Sequence, residues 1–455
     1  MQEVMLEQRP LAALAALLPA GQAARFEAAA AHAREVLAGR VVWNVSATET
    51  GGGVAEMLHT LLGYLIAAGV DARWLVVDGD EQFFATTKCL HNAIHGLGDP
   101  SGLGLERQRD YQRVVSRNLP ELLRRVRSQD LVLLHDPQSA GLLDPLKRAG
   151  VRVAWRSHIG RDAPNEQSVA GWEFLRRYIQ EADALIFSRR QHAPAWVPPE
   201  RLWIIPPSID PLAPKNRQMK PGERQRVLAR AGLLAMNGAR PAPAVQGAPA
   251  PAPGDRLVVQ VSRWDRLKDM AGVMAGFAHA DPPQDVHLML VGPAVAGVTD
   301  DPEGAEVLQG TVSEWHGLPA NIRSRVSLVS VPMDDLDENA TIVNAIQRQA
   351  TVIVQKSLAE GFGLTVAEAM WKAKPMVAAG VGGIQDQLTH EREGLLVDDP
   401  TDLDAFAGAL RRLLADRHLA HHLGQAAHRR VLENFLDDRH VAQSADLFDA
   451  VLAGR

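Results

Sequence analysis

The densest chemistry in the sequence lies between Glu360 and Met370, Glu-Gly-Phe-Gly-Leu-Thr-Val-Ala-Glu-Ala-Met. Ahead of it, Thr351 to Val354 is a β-branched run short enough for a buried parallel strand, and after it Val366 to Lys372 has helix-forming composition. A strand therefore feeds a glycine loop that opens a helix. Gly361 and Gly363 let backbone amides approach a ligand closely, and a helix start offers unpaired N–H groups and partial positive charge, a seat for phosphate. Glu360 stands before the turn and Glu368 within the helix. The first carboxylate could accept hydrogen bonds from a sugar and the second from a ribose. The same residues also suit a plain strand, turn and helix carrying two solvated glutamates.

A second stretch narrows the choice. Leu257 to Val261 reads as another buried strand and runs into Ser262-Arg263-Trp264-Asp265-Arg266-Leu267-Lys268-Asp269. Arg263 and Lys268 then sit at a strand's carboxyl end, where open α/β sheets bind ligands. Two fixed cations there can neutralise a departing diphosphate without a metal. Alone, such a pair is an ordinary solvated loop. Arg-x4-Lys followed by Glu-x7-Glu, with Gly380-Val381-Gly382-Gly383 at the next strand-to-loop junction, resembles the donor site of retaining GT-B glycosyltransferases.

The elements that must position these residues are bounded by composition. At 455 residues the chain exceeds one ordinary core, so two domains are expected. With 46% hydrophobic and 22% charged residues it reads as globular, and a net charge of −6 gives no reason to expect nucleic acid or an anionic membrane as partner. The single cysteine, Cys89, excludes an intramolecular disulfide and a cysteine-based zinc site. Met-Gln-Glu-Val-Met-Leu-Glu lacks the basic start of a signal peptide and no apolar run is long enough to span a membrane, so a cytoplasmic location is expected.

Residues 1–40 read as an alanine-rich helical extension broken around Pro19-Ala20-Gly21. A first Rossmann-like domain is expected over 41–207, beginning with the strand Val41 to Val45, a Gly51-Gly52-Gly53 turn and a helix from Val54 to Ala68. The triple glycine fits neither a dinucleotide fingerprint nor a phosphate loop, and serves equally as a tight turn or a ligand loop. Asp78-Gly79-Asp80, at a strand end, could hold a divalent cation but is also ordinary turn chemistry, and no metal is expected. His91 and His95 share a helical face without a third ligand, and His418, His421, His422 and His428 read as an exposed face. His158, at the end of the strand Val151 to Trp155, could orient a sugar hydroxyl, accept a proton, or be structural. Pro206 to Pro211 marks the interdomain connection, and a second Rossmann-like domain is expected over 208–436. Its Pro/Ala-rich segment, 238–254, should be an extended loop or disordered. The last helix, within 437–455, is expected to pack back on the first domain.

The chain from Val41 onward resembles trehalose glycosyltransferring synthase, a family of retaining GT-B enzymes. The carrying residues are Gly51 to His59, Ala72-Arg73-Trp74, Thr87-Lys88 with His91-Asn92-Ala93, His135 to Gln138, Trp155-Arg156 with His158, Trp172 to Arg177, Pro206 to Leu212 and the two donor motifs. The resemblance implies an α/β fold of GT-B type, two Rossmann-like doubly wound domains facing each other across a cleft. It also implies reversible transfer of glucose from a nucleoside diphosphate glucose to free glucose, giving α,α-trehalose, with no cofactor and a homodimeric assembly. On the same analogy Arg263 and Lys268 hold the diphosphate, Glu360 the donor sugar and Glu368 the ribose. Gly52, Gly53, Gly361, Phe362, Gly363 and Leu364 complete the donor site. His158 faces the sugars and acts with Arg263, Lys268 and Glu360 in catalysis, while Glu56, Trp74, Lys88, His91, Asn92, Asp136 and Gln138 bind the acceptor. The family tends to carry His-Ile-Asp where this chain has His158-Ile159-Gly160. A phosphorylase of trehalose, a transferase to another small acceptor such as a sugar phosphate or polyol, and a non-catalytic sugar-nucleotide binding protein are the alternatives.

Overall fold

A computed structural model describes residues 1–50, 52–235, 245–295 and 303–454. Gly51, the first residue of the triple glycine, and residues 238–244 of the Pro/Ala-rich segment lie outside them. The chain divides into two compact units, one comprising Met1–Ser208 with Phe435–Arg455 and the other Ile209–Asn434.

The first unit is built on seven strands: β1 (Gln2–Glu3), β2 (Val41–Ser46), β3 (Asp71–Val76), β4 (Leu131–His135), β5 (Arg152–Ser157), β6 (Ala184–Phe187) and β7 (Leu202–Ile204). Their order is β1-β3-β2-β4-β5-β6-β7, and all pairs are parallel except β1 with β3. Strands β2, β4 and β6 are buried throughout, which is why they are largely apolar rather than alternating, with Asn44 and Ser46 on β2 and His135 on β4 as the polar exceptions. Trp43, Val45, Leu134, Trp155 and Phe187 form the core with Phe83, Tyr111 and Leu175 from the covering helices.

Residues 1–40 belong to this unit. Gln2–Glu3 extends the sheet edge, and the helix Ala20–Val36 packs against the helix Asp437–Ala453. Gln22 Nε2 donates to Asp438 Oδ2 at 2.8 Å, and the Phe26 ring meets Tyr64 edge-on at 6.1 Å.

The second unit contains β8 (Val245–Gly247), β9 (Arg256–Val261), β10 (Val286–Pro293), β11 (Val326–Val331), β12 (Val352–Gln355), β13 (Met376–Ala379) and β14 (Leu395–Val397). The order is β14-β13-β12-β9-β10-β11-β8, parallel except for β8 with β11. Strand β8 departs from the loop expected over 238–254. Three residues of that segment pair as an edge strand, a position that needs few backbone donors. Gly247 (φ +128°) makes the pairing possible, since a Cβ there would stand 2.4 Å from the Val326 carbonyl oxygen.

Both sheets reverse strand order once. In the second unit the parallel strands start at β9, build outward through β10 and β11, then return to β9's other side with β12. In the first, β2 lies between β3 and β4. The crevice outside the carboxyl ends of such strands is where open α/β sheets take ligands.

Candidate active site

In the second unit the reversal brings the two sequence motifs together. Trp264, buried just past β9, donates its indole N–H to the Pro293 carbonyl at 2.9 Å and pins the loop. The Asp265 carboxylate accepts from the Leu267 amide at 2.8 Å, closing the single turn Arg266–Lys268 that delivers Lys268. Its Nζ lies 2.6 Å from Glu360 Oε2, on the loop after β12, and Ser357 Oγ donates to the same oxygen at 3.2 Å. The loops are also fastened from beneath. Gln260, fully buried at the end of β9, donates to the Lys268 carbonyl (2.7 Å) and accepts from the Lys356 amide (3.0 Å), while the Lys356 ammonium pairs with Asp269. Arg263, about one-third exposed, stands 3.9 Å from Asp265.

The glycine loop is in backbone contact with the next junction. Gly382 has φ +50°, and a Cβ there would lie 1.7 Å from the Glu360 carbonyl oxygen; one on Gly383 would lie 2.6 Å from Phe362 Cα. Gln387 Nε2 donates to the Phe362 carbonyl at 2.6 Å. Gly363, left-handed at φ +86°, is the N-cap of the helix Leu364–Trp371. Thr365 Oγ donates to Gln355 Oε1 (3.0 Å) and Gln355 Nε2 to Ser357 Oγ (2.9 Å), so a hydrogen-bonded chain links the helix start to Glu360. Glu368 lies deeper than the sequence suggests. It is 2% exposed, accepts from Gln347 Nε2 at 3.1 Å, and has Lys215 Nζ at 3.7 Å. Beside it Lys372 donates to Asn216 Oδ1 (3.0 Å) and to the Glu368 carbonyl (3.2 Å), with burial pushing its ammonium pKa down.

In the first unit the candidate residues gather on the loops after β2, β4 and β5. Gly52 is the extended residue before the helix Gly53–Ala67, with Glu56 in the first turn. Asp136 has φ +59°, and Trp155 Nε1 donates to its carbonyl at 3.1 Å. Its Oδ1 accepts from the His158 amide at 2.8 Å, and burial pushes its carboxyl up to about 7. His158 Nε2 lies 3.1 Å from His135 Nδ1, and His135 Nε2 lies 3.0 Å from Asn44 Oδ1. Burial holds His135 down to about 3 and His158 well below the usual imidazole range, with the Arg156 charge adding to both. Gln138 Oε1 is buried without a hydrogen-bond partner among the described residues. Lys88, His91 and Asn92 lie on the helix Glu81–Ile94, which packs on the short helix Asp136–Ala140.

Trp74 requires correction as an acceptor-binding residue. It is fully buried, donates to Ser46 Oγ at 2.8 Å and meets His59 edge-on, so it has no face left for a sugar and serves the core. Asp80 caps the Glu81–Ile94 helix and pairs with Arg113 at 2.7 Å, which is turn and capping work. His428 differs from its exposed neighbours His418, His421 and His422, bonding the Trp371 carbonyl at 2.7 Å. Sequence reasoning missed Asn44, Lys215, Gln260, Gln347, Gln355 and Ser357. A signal existed for two of them, since Gln260 and Gln355 are lone amides at or near the ends of apolar strands.

Residues 44–194 match the family described as trehalose synthase, N-terminal domain, and residues 248–430 match glycosyl transferases group 1. The trehalose synthase of Pyrococcus horikoshii is 34% identical over 422 residues, which cover 92% of this chain and 91% of that protein. The chain belongs to the trehalose synthase family. Within it, the trehalose synthase of Rubrobacter xylanophilus is 35% identical over 428 residues, covering 91% of this chain and 92% of that one. The trehalose phosphorylase of Pleurotus pulmonarius is 28% identical over 409 residues, 82% of this chain but 52% of that protein. Among solved structures, a UDP-forming α,α-trehalose-phosphate synthase from Burkholderia xenovorans in complex with glucose-6-phosphate aligns with a TM-score of 0.68 at 17% identity, covering 91% of this chain and 100% of that one. Sucrose-phosphate synthase from Thermosynechococcus elongatus gives 0.65 at 21%, again covering 91% and 100%. This member of the trehalose synthase family has the GT-B fold and is a glycosyltransferase of trehalose metabolism. No helix among its described residues is long and apolar enough to cross a membrane.

Proposed function

We propose that this protein transfers glucose from a nucleoside diphosphate glucose to free glucose, forming α,α-trehalose reversibly and with retention at the donor carbon. The observation that carries the reading is the 2.6 Å pair of Lys268 with Glu360 at the strand-order reversal of the second unit, beside a glycine-capped helix start. Lys268, Arg263 and the amides from Leu364 onward form a cationic seat for a diphosphate, and Glu360 an acceptor for sugar hydroxyls. In the first unit the Gly52 to Glu56 turn, Asp136, Gln138 and His158 are the groups assigned on this reading to sugar hydroxyls. As the bond from the anomeric carbon to the diphosphate breaks, its electron pair passes to the phosphate oxygen that the cations stabilise. The anomeric hydroxyl of the second glucose forms the new bond on the same face and gives its proton to that oxygen. No cofactor or metal enters this scheme, and a sugar nucleotide as substrate makes the cytoplasm the expected compartment.

The test is incubation with glucose and, separately, UDP-, ADP- and GDP-glucose, with products identified by NMR. α,α-Trehalose from at least one donor is the expected result, and no disaccharide from any of them overturns the proposal. The kinship with a trehalose phosphorylase favours a second reading. Glucose 1-phosphate released from trehalose and inorganic phosphate, without nucleotide, would establish that one instead.

A further inference from the structure

We propose that Lys215 is a positioning residue of the donor site, holding the Glu368 carboxylate where it accepts hydroxyls of the nucleotide's ribose. The proposal rests on the reading of Glu368 as the ribose-binding group. That residue lies one turn inside the helix Leu364–Trp371, about 6 Å along the axis from the helix start assigned to the diphosphate. Its side chain is 3% exposed, so it has little surface to offer a ligand and its direction matters. Lys215 Nζ stands 3.7 Å from Glu368 Oε1, an ion pair rather than a hydrogen bond, on a side chain that is 19% exposed.

The segment that carries Lys215 is fastened to two helices of the second unit. Asn344, on the helix Leu336–Gln349, donates from Nδ2 to the Pro214 carbonyl at 2.8 Å and to the Arg217 carbonyl at 3.0 Å. The Arg348 guanidinium and the Trp371 indole both donate to the Asn216 carbonyl, at 2.8 and 3.1 Å. Asn216 Nδ2 donates to the Asp210 carbonyl at 2.9 Å, and its Oδ1 accepts from Lys372 Nζ at 3.0 Å. Each of these directions is fixed by a partner that can only donate or only accept, and Asn344 Oδ1 likewise takes Arg348 Nε at 2.9 Å. Lys215 is thus brought to Glu368 by a backbone held on both sides of it. The two lysines at this point divide the work: Lys372 ties Asn216 Oδ1 to the Glu368 backbone carbonyl, whereas Lys215 faces the carboxylate. A buried carboxylate needs such a partner, because one neutral amide does not offset the loss of water. That amide, Gln347, meets Oε2 at 3.1 Å, with its own Oε1 buried and without a partner among the described residues. Turned end for end, it would require a proton on Glu368, the state that an adjacent ammonium disfavours. With its charge held by Lys215, Glu368 can only accept, which suits the hydroxyls of a ribose and disfavours a nucleotide that lacks them.

The test measures binding to the full-length protein by calorimetry, so it does not depend on turnover. UDP, ADP and GDP are titrated, and the one bound most tightly is compared with its 2′,3′-dideoxy counterpart, which lacks both ribose hydroxyls. The wild type should bind the dideoxy form about tenfold more weakly. Lys215→Met keeps the apolar stem and removes the charge. It should weaken the ribonucleotide about tenfold and the dideoxy form less than about twofold, so that the preference nearly vanishes. Lys215→Arg should recover most of that preference, and Glu368→Gln should lose it as Lys215→Met does. Thermal unfolding of each variant separates misfolding from mispositioning. A folded Lys215→Met that keeps the wild-type preference overturns the proposal, as does one that weakens both nucleotides equally, the mark of a merely structural lysine. If Glu368→Gln loses the preference in either of those cases, the ribose reading of Glu368 stands and only the part given to Lys215 falls. A wild type that binds no nucleotide, or binds both forms alike, overturns the two together.

Discussion

Lys268 and Glu360 are ordinary residue types made specific by position. Their side chains are 17% and 10% exposed, so the pair is poorly screened, and on the proposed reading the donor's diphosphate would meet a cation already held in place. Lys268→Ala or Arg263→Ala should lower kcat by about 100-fold or more, the cost seen when one preorganised charge-stabilising group is lost. Folding should change far less, and turnover measured beside thermal unfolding checks both; near-normal turnover in both variants would remove the assignment. Asp136 offers a test by pH. Burial raises its carboxyl from 3.8 to about 7, so between those values the folded protein holds more protons than the unfolded chain. The stability this group contributes is therefore fully present below 3.8 and lost as pH rises through about 7. Asp136→Asn should gain stability relative to wild type across that window, read as a widening gap between denaturant midpoints. Parallel midpoint curves would show that the carboxyl ionises in the fold as readily as in the unfolded chain.

At the scale of elements, the site is two loops and a helix start locked by glycines. Gly382→Ala would set a methyl against the Glu360 carbonyl in a left-handed backbone, so one loop must move. The expected result is about 1–3 kcal/mol of destabilisation with a larger loss of turnover, checked by chemical denaturation and initial rates. Much of this framework was legible in the sequence. The β-branched runs that became β9 and β12, the Arg263 to Lys268 spacing and the Glu360-Gly-Phe-Gly turn are local patterns, and periodicity and turn chemistry read them directly. What could not be read is partnership across the sheet. Nothing near Gln260 says that it will join Lys268 to Lys356, and nothing near Glu368 says that Gln347 and Lys215 will enclose it. Trp74 was misread for the same reason, since an aromatic residue on a strand gives no local sign of which face is covered. Strand β8 escaped because composition disfavours Pro/Ala-rich chain in a sheet interior but not at an edge.

At the scale of the molecule, the chain leaves its first unit after Ser208 and returns to it at Phe435. A buried, directional chain of hydrogen bonds binds the returning helix to that unit. The Arg156 guanidinium donates to His440 Nε2 (2.8 Å) and to the Ile205 carbonyl (2.9 Å), His440 Nδ1 lies 2.8 Å from Ser208 Oγ, and the Ser208 hydroxyl donates to Asp437. Arg439 donates to the Pro206 and Pro207 carbonyls at 2.8 Å each. Burial has already lowered the Arg156 pKa to about 9, so its charge is held at a cost that His440 helps offset. His440→Phe would keep the ring volume and remove the acceptor, leaving a buried guanidinium N–H unpaired, for an expected loss of about 3 kcal/mol. In a unit of this size that is roughly 6–12 °C in Tm by calorimetry. The loss should appear without any change in the KM for the nucleotide sugar, since Arg263, Lys268, Glu360 and Glu368, the charged groups proposed to hold it, lie in the second unit. A fall in Tm accompanied by an equal fall in donor affinity would instead mean that the two units unfold and bind as one.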